Sequence, residues 1–349
     1  MKVLTVVGAR PQFVKAAPVS RELASRAGIS ECLVHTGQHH DAALSEAQFE
    51  ALGLREADLN LGIHGGTAGA MVGRMVIALD EVIGSERPDV VLVYGDTNST
   101  AAGALAAAHR GIPLAHVEAG LRSYDRTMPE ERNRVMTDHL STLLFTPTRT
   151  AVENLLREGV SDGVHQVGDV MLDAFLASPP EAALAGRVLE PLGLDSGSFV
   201  LATLHRAETT ATAEALESRL EFLVEVAAGR PVLLPLHPRT RDAAARLGVD
   251  LHHVLVIDPV DYRTFSALLA QCSLVATDSG GVQKEAYFHR VPCVTLRAET
   301  EWPETIQAGW NRLWTEPERT GTREEIHDYG TGAASVAIAD ILSSVFAGD

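Results

Sequence analysis

A chain of 349 residues, 46% of them hydrophobic, exceeds one ordinary core, so two domains of similar size are expected. The net charge of −17, with no strong basic patch, argues against nucleic acid as a partner. No apolar run approaches a membrane span of about 18 residues, and the chain opens on a strand rather than a basic leader, which predicts a cytoplasmic protein with no membrane partner. Cys32, Cys272 and Cys293 lie scattered in apolar surroundings and read as buried thiols, not as a disulfide or metal set.

In chain order, residues 2–7 form a strand that turns through Gly8-Ala9-Arg10-Pro11 into a helix carrying Lys15. A glycine turn feeding a helix N-terminus suits an anion, with free N–H groups and two cations, Arg10 and Lys15, beside it. The turn is not the Gly-x-Gly-x-x-Gly dinucleotide pattern, so no nicotinamide cofactor is indicated. Residues 31–35 give the second strand, followed by Gln38-His39-His40-Asp41. Adjacent loop histidines point apart and lack helical pairing, so no metal site is expected there. The Gly65-Gly66-Thr67 loop leads into a helix through Met75.

Residues 90–93 are an apolar, β-branched run ending at Asp96, whose Gly-Asp-Thr turn opens a helix over 99–109. Residues 114–117 repeat the arrangement and end at Glu118, and Glu130 and Glu131 enter from the helix that starts at Pro129. Strand ends of a parallel sheet face one crevice, so these carboxylates should converge. Crowding and burial would then raise some of their pKa values and fit them for proton transfer. Residues 143–146 and 167–170 are read as further strands, and 178–198 as the connection between the domains.

The second half again alternates strands, at 199–203, 232–234, 254–257, 274–276 and 293–296, with helices. The fold class is therefore α/β, with two doubly wound, Rossmann-like parallel sheets. The expected domains are 1–175 with the carboxylates, 176–330, and a C-terminal helix within 331–349 that packs back. Polar signatures stand at the strand ends of the second half: His205-Arg206, His237-Pro238-Arg239 and Asp278-Ser279-Gly280-Gly281. The last admits a diphosphate against backbone N–H groups without Cβ obstruction. Glu285, one turn on, is placed to hold ribose hydroxyls; its alternative is a solvated surface carboxylate. Carboxylates on one sheet and an anion cradle on the other describe an enzyme for an anionic, hydroxylated substrate such as a nucleotide sugar. Glycosyl transfer and isomerisation both remain open at this point.

The segments Gly-Ala-Arg-Pro-Gln-Phe-Val-Lys (8–15), Tyr-Gly-Asp-Thr-Asn-Ser-Thr (94–100), His-Val-Glu-Ala-Gly-Leu-Arg (116–122), Pro-Glu-Glu (129–131), His-Arg-Ala-Glu (205–208) and Asp-Ser-Gly-Gly-Val-Gln-Lys-Glu-Ala (278–286) together resemble the non-hydrolysing UDP-N-acetylglucosamine 2-epimerases. The resemblance runs in order to Tyr329-Gly330. It implies the glycosyltransferase-B architecture, no metal, no cofactor and a homodimer. It also implies inversion at carbon 2 by elimination of UDP to a 2-acetamidoglucal and re-addition after protonation from the other face.

By the same resemblance Asp96, Glu118 and Glu130 match the catalytic carboxylates and His205 the active-site histidine. Arg10 and Lys15 match substrate-contacting positions, Ser279, Gly280 and Gly281 the diphosphate loop, Glu285 the ribose ligand and Phe265 a residue near uracil, while Arg206 and His237 are assigned to diphosphate binding by their neighbouring strand ends. Many members of the family carry an acid where this chain has Lys284 and an arginine where it has Trp302, which takes a cation out of the site. These departures resemble the branch acting on UDP-2,3-diacetamido-2,3-dideoxyglucuronate, the alternative substrate to UDP-N-acetylglucosamine. Gln38 and His39 match an activator loop of some bacterial relatives, whereas Asp41 and Gly65-Gly66 depart from it, so weak or absent activation by a second substrate molecule is expected.

Overall fold

The computed structural model describes residues 1–38, 52–206, 208–318 and 321–346. The chain forms two compact units: Met1–Ser178 with His327–Asp349, and Pro179–Ile326. Each is built on one parallel sheet, the fold class that the sequence led us to expect.

In the first unit the strands are β1 (Lys2–Val7), β2 (Ser30–His35), β3 (Leu59–Asn60), β4 (Val90–Tyr94), β5 (Leu114–Val117), β6 (Leu143–Thr146) and β7 (Val164–Gln166). They lie in the order β3-β2-β1-β4-β5-β6-β7. Chain direction across the sheet reverses between β1 and β4, paired Val3 to Val90 through Val6 to Val93, and in such sheets that reversal opens a crevice at the carboxyl ends. The helices are α1 (Arg10–Ala24), α2 (Ala68–Glu86), α3 (Asn98–Arg110), α4 (Pro129–Leu140), α5 (Arg149–Arg157), α6 (Val170–Ala177) and, after the second unit, the C-terminal helix. Because helices cover both faces, β1 and β4 are apolar almost throughout rather than alternating. Leu4, Val6, Val91 and Val93 pack with Met75, Leu79 and Ile83 of α2 and the alanines of α3.

The second unit contains α7 (Ala182–Leu189), β8 (Val200–Thr203), α8 (Ala213–Ala227), β9 (Val232–Pro235), α9 (Pro238–Leu247), β10 (Leu255–Ile257), α10 (Tyr262–Gln271), β11 (Leu274–Thr277), α11 (Gly280–Phe288), β12 (Cys293–Thr295), α12 (Pro303–Gln307) and β13 (Asn311–Leu313). Its sheet order, β10-β9-β8-β11-β12-β13, puts the same reversal between β8 and β11. Separate apolar clusters cover its two faces.

Two local expectations are corrected. Residues 167–170 are not a strand: β7 ends at Gln166, and Gly168 takes φ 88° so that Asp169 can accept from the Met171 N–H at 2.8 Å and open α6. A Cβ at Gly168 would lie 2.7 Å from the Tyr329 carbonyl oxygen, which excludes any other residue there. The 178–198 stretch is not a plain connection either, because α7 buries Ala185 and Leu189 against Phe199 and Leu201. The proline pair before it masked a helical spacing.

The chain returns to the first unit at His327, and its last helix, α13 (Ala334–Phe346), belongs there. Asp173 of α6 accepts from the N–H groups of Ala334 and Ser335 at 3.2 and 2.7 Å, and Arg26 at the end of α1 reaches Asp340 at 2.6 Å. Cys32, Cys272 and Cys293 are buried free thiols, pushed up to about 11 and 12 for the first two and further for the third, by burial first. Among the described residues no helix is long and apolar enough to cross a membrane.

Candidate active site

The first set of candidate residues stands at the carboxyl ends of β1, β4 and β5. Glu118 directly follows β5 with φ 73°, a left-handed conformation that a glutamate adopts only under constraint. Its N–H bonds the Phe145 carbonyl at 3.0 Å, and its buried carboxylate forms an ion pair with Lys15 of α1. Gly95, at φ 59°, lies beneath that pair: a Cβ there would stand 3.1 Å from both Glu118 Oε2 and Lys15 Nζ. Asp96 comes next in the chain. Its quarter-exposed side chain pairs with Arg134 of α4, whose other terminal nitrogen meets Glu131 at 3.1 Å. Asn133 holds the Asp96 carbonyl at 2.9 Å.

The structure thus differs from the crowd of acids that the sequence suggests. Carboxylates alternate with cations, Lys15 with Glu118 and Arg134 with Asp96 and Glu131, an arrangement that limits mutual repulsion. Glu131 is also tied to the N–H groups of Ser123 and Tyr124, both at 2.9 Å, and serves as an anchor of the turn before α4. Glu130, half-buried in the first turn of α4, is the neighbour that this anchoring places.

A second correction concerns the turn after β1. The N–H groups of Gly8 and Ala9 are not open to an anion, because both donate to Gln12 Oε1, at 2.8 and 3.0 Å. Gln12 in turn donates to the Tyr94 carbonyl and to Thr100 Oγ1, each at 3.0 Å, and so ties β1 to β4. Gly8 is required by packing: a Cβ would fall 2.1 Å from the hydroxyls of Ser99 and Thr36. Arg10 remains half-buried at the start of α1. Gln38 accepts from the N–H and hydroxyl of Ser99 at 3.0 and 2.8 Å, while His39, His40 and Asp41 lie outside the described residues. Arg74 of α2 reaches the Gly65-Gly66 loop and donates to the His64 carbonyl at 2.9 Å. Among the described residues no cluster of His, Cys, Asp or Glu is placed to hold a metal ion.

In the second unit the candidates gather at the ends of β8 and β11. Asp278, fully buried, accepts on one oxygen from the N–H groups of His205 and Arg206 at 2.8 and 2.9 Å and from the Thr209 hydroxyl at 3.1 Å. Its other oxygen lies 3.0 Å from His205 Nδ1. Burial pushes this carboxyl up, yet His205 and the two backbone donors outweigh burial and hold it below its ordinary value. Arg206 Nε donates to the Asp278 main-chain carbonyl at 3.0 Å, so both basic residues are set by one aspartate. Asp278 is the clasp between two strand ends.

Ser279 occupies the N-cap position of α11 with no side-chain cap bond, and its own N–H goes to Thr277 Oγ1 at 2.9 Å. Gly280 and Gly281 form the first turn. A Cβ on Gly280 would make ordinary contact with Glu301 and Trp302, at 3.6 and 3.7 Å. Glu285 is buried on α11, not a solvated surface acid, and Phe265 belongs to the apolar core of the unit. His237 caps α9, its Nδ1 accepting from the Arg239 N–H at 3.2 Å. Lys284 and Trp302, the two departures noted above, meet in the interior. A cation is therefore present behind the glycine turn, supplied from position 284.

Sequence reasoning passed over Arg134, Gln12 and the clasp role of Asp278. Only Arg134 carried a signal, its spacing of three residues from Glu131 on one helix.

Comparison with known proteins identifies the family and the fold. Residues 21–343 match the family model described as UDP-N-acetylglucosamine 2-epimerase. A UDP-2,3-diacetamido-2,3-dideoxy-D-glucuronate 2-epimerase of Pseudomonas aeruginosa is 50% identical over 99% of this chain and 100% of its own length. A UDP-N-acetylglucosamine 2-epimerase of Methanococcus maripaludis is 41% identical over 89% and 87%. Among solved structures, Methanocaldococcus jannaschii UDP-GlcNAc 2-epimerase in complex with UDP-GlcNAc and UDP superimposes with a TM-score of 0.90 at 36% identity, covering 99% of this chain and 100% of that one.

Proposed function

The chain belongs to the UDP-N-acetylglucosamine 2-epimerase family, and we propose that it inverts carbon 2 of UDP-2,3-diacetamido-2,3-dideoxyglucuronate. The observation that carries this choice of sugar is the 50% identity, over essentially the whole of both chains, to a relative named for that reaction. UDP-N-acetylglucosamine, the substrate first expected, is the second reading; relatives named for it or as its homologue are 34–43% identical, one of them over 99% of this chain.

In the proposed reaction a carboxylate takes the carbon-2 proton while the bond from the anomeric carbon to UDP breaks, leaving the 2,3-diacetamido glycal of the uronate and UDP in the site. Protonation of carbon 2 from the other face and return of the UDP oxygen complete the inversion. Asp96, Glu118 and Glu130 serve as the proton donors and acceptors, and His205 meets the departing diphosphate. Ser279, Gly280 and Gly281 present the uncapped start of α11 to that diphosphate, where backbone N–H groups and the helix dipole favour negative charge. Arg10, Lys15, Arg206 and His237 add charge and donors, Glu285 takes the ribose hydroxyls and Phe265 stands near uracil. No metal or cofactor is required, and the working form is a cytoplasmic homodimer.

The test is proton NMR in heavy water with each UDP-sugar supplied separately. Deuterium entering carbon 2 of the diacetamido-glucuronate, together with the epimer's signals, at a kcat/KM at least about tenfold above that for UDP-N-acetylglucosamine, is the expected result. The reverse ratio moves the assignment to UDP-N-acetylglucosamine, and exchange with neither removes the epimerase reading.

A further inference from the structure

His116 lies fully buried on β5 between two acceptors. Its Nε2 is 2.7 Å from the Gly95 carbonyl oxygen, and its Nδ1 is 2.7 Å from Asp138 Oδ1. A carbonyl oxygen only accepts, so Nε2 carries hydrogen. The second Asp138 oxygen accepts from the Gly120 N–H at 3.1 Å and from Arg122 at 2.6 Å. Two donors, one of them a guanidinium, favour the carboxylate form of Asp138 and leave the remaining hydrogen on Nδ1. Arg122 turns its other nitrogens to Glu158 at 2.7 and 2.8 Å, and His139 meets Glu158 at 2.9 Å. The charged groups around the imidazole, Asp138, Arg122 and Glu158, therefore alternate in sign, with His139 beyond them.

The two backbone groups at the ends of this bridge belong to the two turns of the candidate site. Gly95 immediately precedes Asp96, and Gly120 follows Glu118 by two residues. The bridge grips the carbonyl of one turn directly and the N–H of the other through Asp138. We infer that His116, donating from both ring nitrogens, is a positioning residue that sets the Asp96 turn against the Glu118 turn for proton transfer at carbon 2. The inference rests on the epimerase reading for its catalytic consequence, but not for the hydrogen-bonding state of the ring.

The two halves of the imidazole can be replaced separately. In His116→Gln the carboxamide nitrogen falls near Nε2 and keeps the Gly95 bond; in His116→Asn it falls near Nδ1 and keeps only the Asp138 bond. Both variants should bind UDP as the parent does in titration calorimetry. Each variant cuts the bridge at one end, so both should lose on the order of 100-fold in kcat for carbon-2 exchange with KM unchanged. A kcat close to that of the parent in either variant, or a loss expressed in KM, overturns the role.

Independently of any activity, a long-range proton–nitrogen spectrum of histidine-labelled enzyme, assigned by loss of the signal in His116→Gln, should show both His116 nitrogens bearing hydrogen. A bare ring nitrogen there overturns the bridge. Should the parent exchange neither UDP-sugar, the epimerase reading falls and this spectrum alone decides the bridge.

Discussion

Lys284 Nζ stands 3.8 Å from the centre of the Trp302 ring, with both residues buried. Two departures from the family pattern, 18 positions apart, are thus one interaction, a lysine facing an indole. A desolvated cation–π contact is worth about 2 kcal/mol, and a buried lysine deprived of its ring keeps its desolvation cost. Trp302→Arg alone should destabilise the second unit by about 3 kcal/mol, by setting two cations together. The double variant Lys284→Glu with Trp302→Arg should regain about 2 kcal/mol of that. Urea unfolding of the four-member cycle measures the coupling, and additivity of the two single changes would show that the pair is not a unit.

Arg134 uses separate guanidinium nitrogens for Asp96 and Glu131, a geometry that a lysine cannot reproduce. Arg134→Lys should therefore lower the rate of carbon-2 exchange by about 10- to 100-fold while UDP affinity stays within a factor of about two. A rate close to that of the parent would mean that Asp96 needs no such partner.

Gly95→Ala tests the contact beneath the Lys15–Glu118 pair. The left-handed backbone costs an alanine about 1–2 kcal/mol, and the new methyl group presses on both charged atoms. The expected outcome is a lowered melting temperature together with an exchange rate reduced by at least about tenfold. A variant that melts earlier but turns over normally would separate the pair from catalysis.

His289 predicts a pH dependence of stability. Burial lowers its pKa from 6.5 to about 4, and its Nε2 lies 2.9 Å from the Ser266 hydroxyl. The unfolded chain binds a proton more readily than the folded one between these values. The contribution is therefore complete above pH 6.5 and is lost as pH falls towards 4, on the order of 3 kcal/mol in all. Unfolding free energies measured from pH 7.5 to 4 should fall more steeply for the parent than for His289→Gln; parallel curves would assign the acid sensitivity to other groups.

The strands were legible because a parallel sheet covered on both faces selects short apolar runs, as in 90–93 and 114–117, and the residues after those runs mark the site. What could not be read was the pairing of charges. Lys15 and Glu118 are 103 residues apart, and nothing local to either says that they meet. The Gly8 turn has the composition of an anion cradle, yet its donors are taken by Gln12 four residues on, whose own partners lie on β4 and α3. Helix α7 was hidden by the proline pair in front of it, since punctuation residues outweigh an eight-residue amphipathic segment when only local signals are counted.

The return of the chain at His327 has a consequence for biosynthesis. The second unit is one uninterrupted segment and has all its strands once β13 has left the ribosome. The first unit begins earlier but must wait for α13, whose start is held by Asp173 and whose side is held by Arg26. Synthesis order and completion order are therefore inverted: the unit carrying the candidate carboxylates closes last, and a nascent chain halted before its final helix carries a finished second sheet beside an uncovered α1.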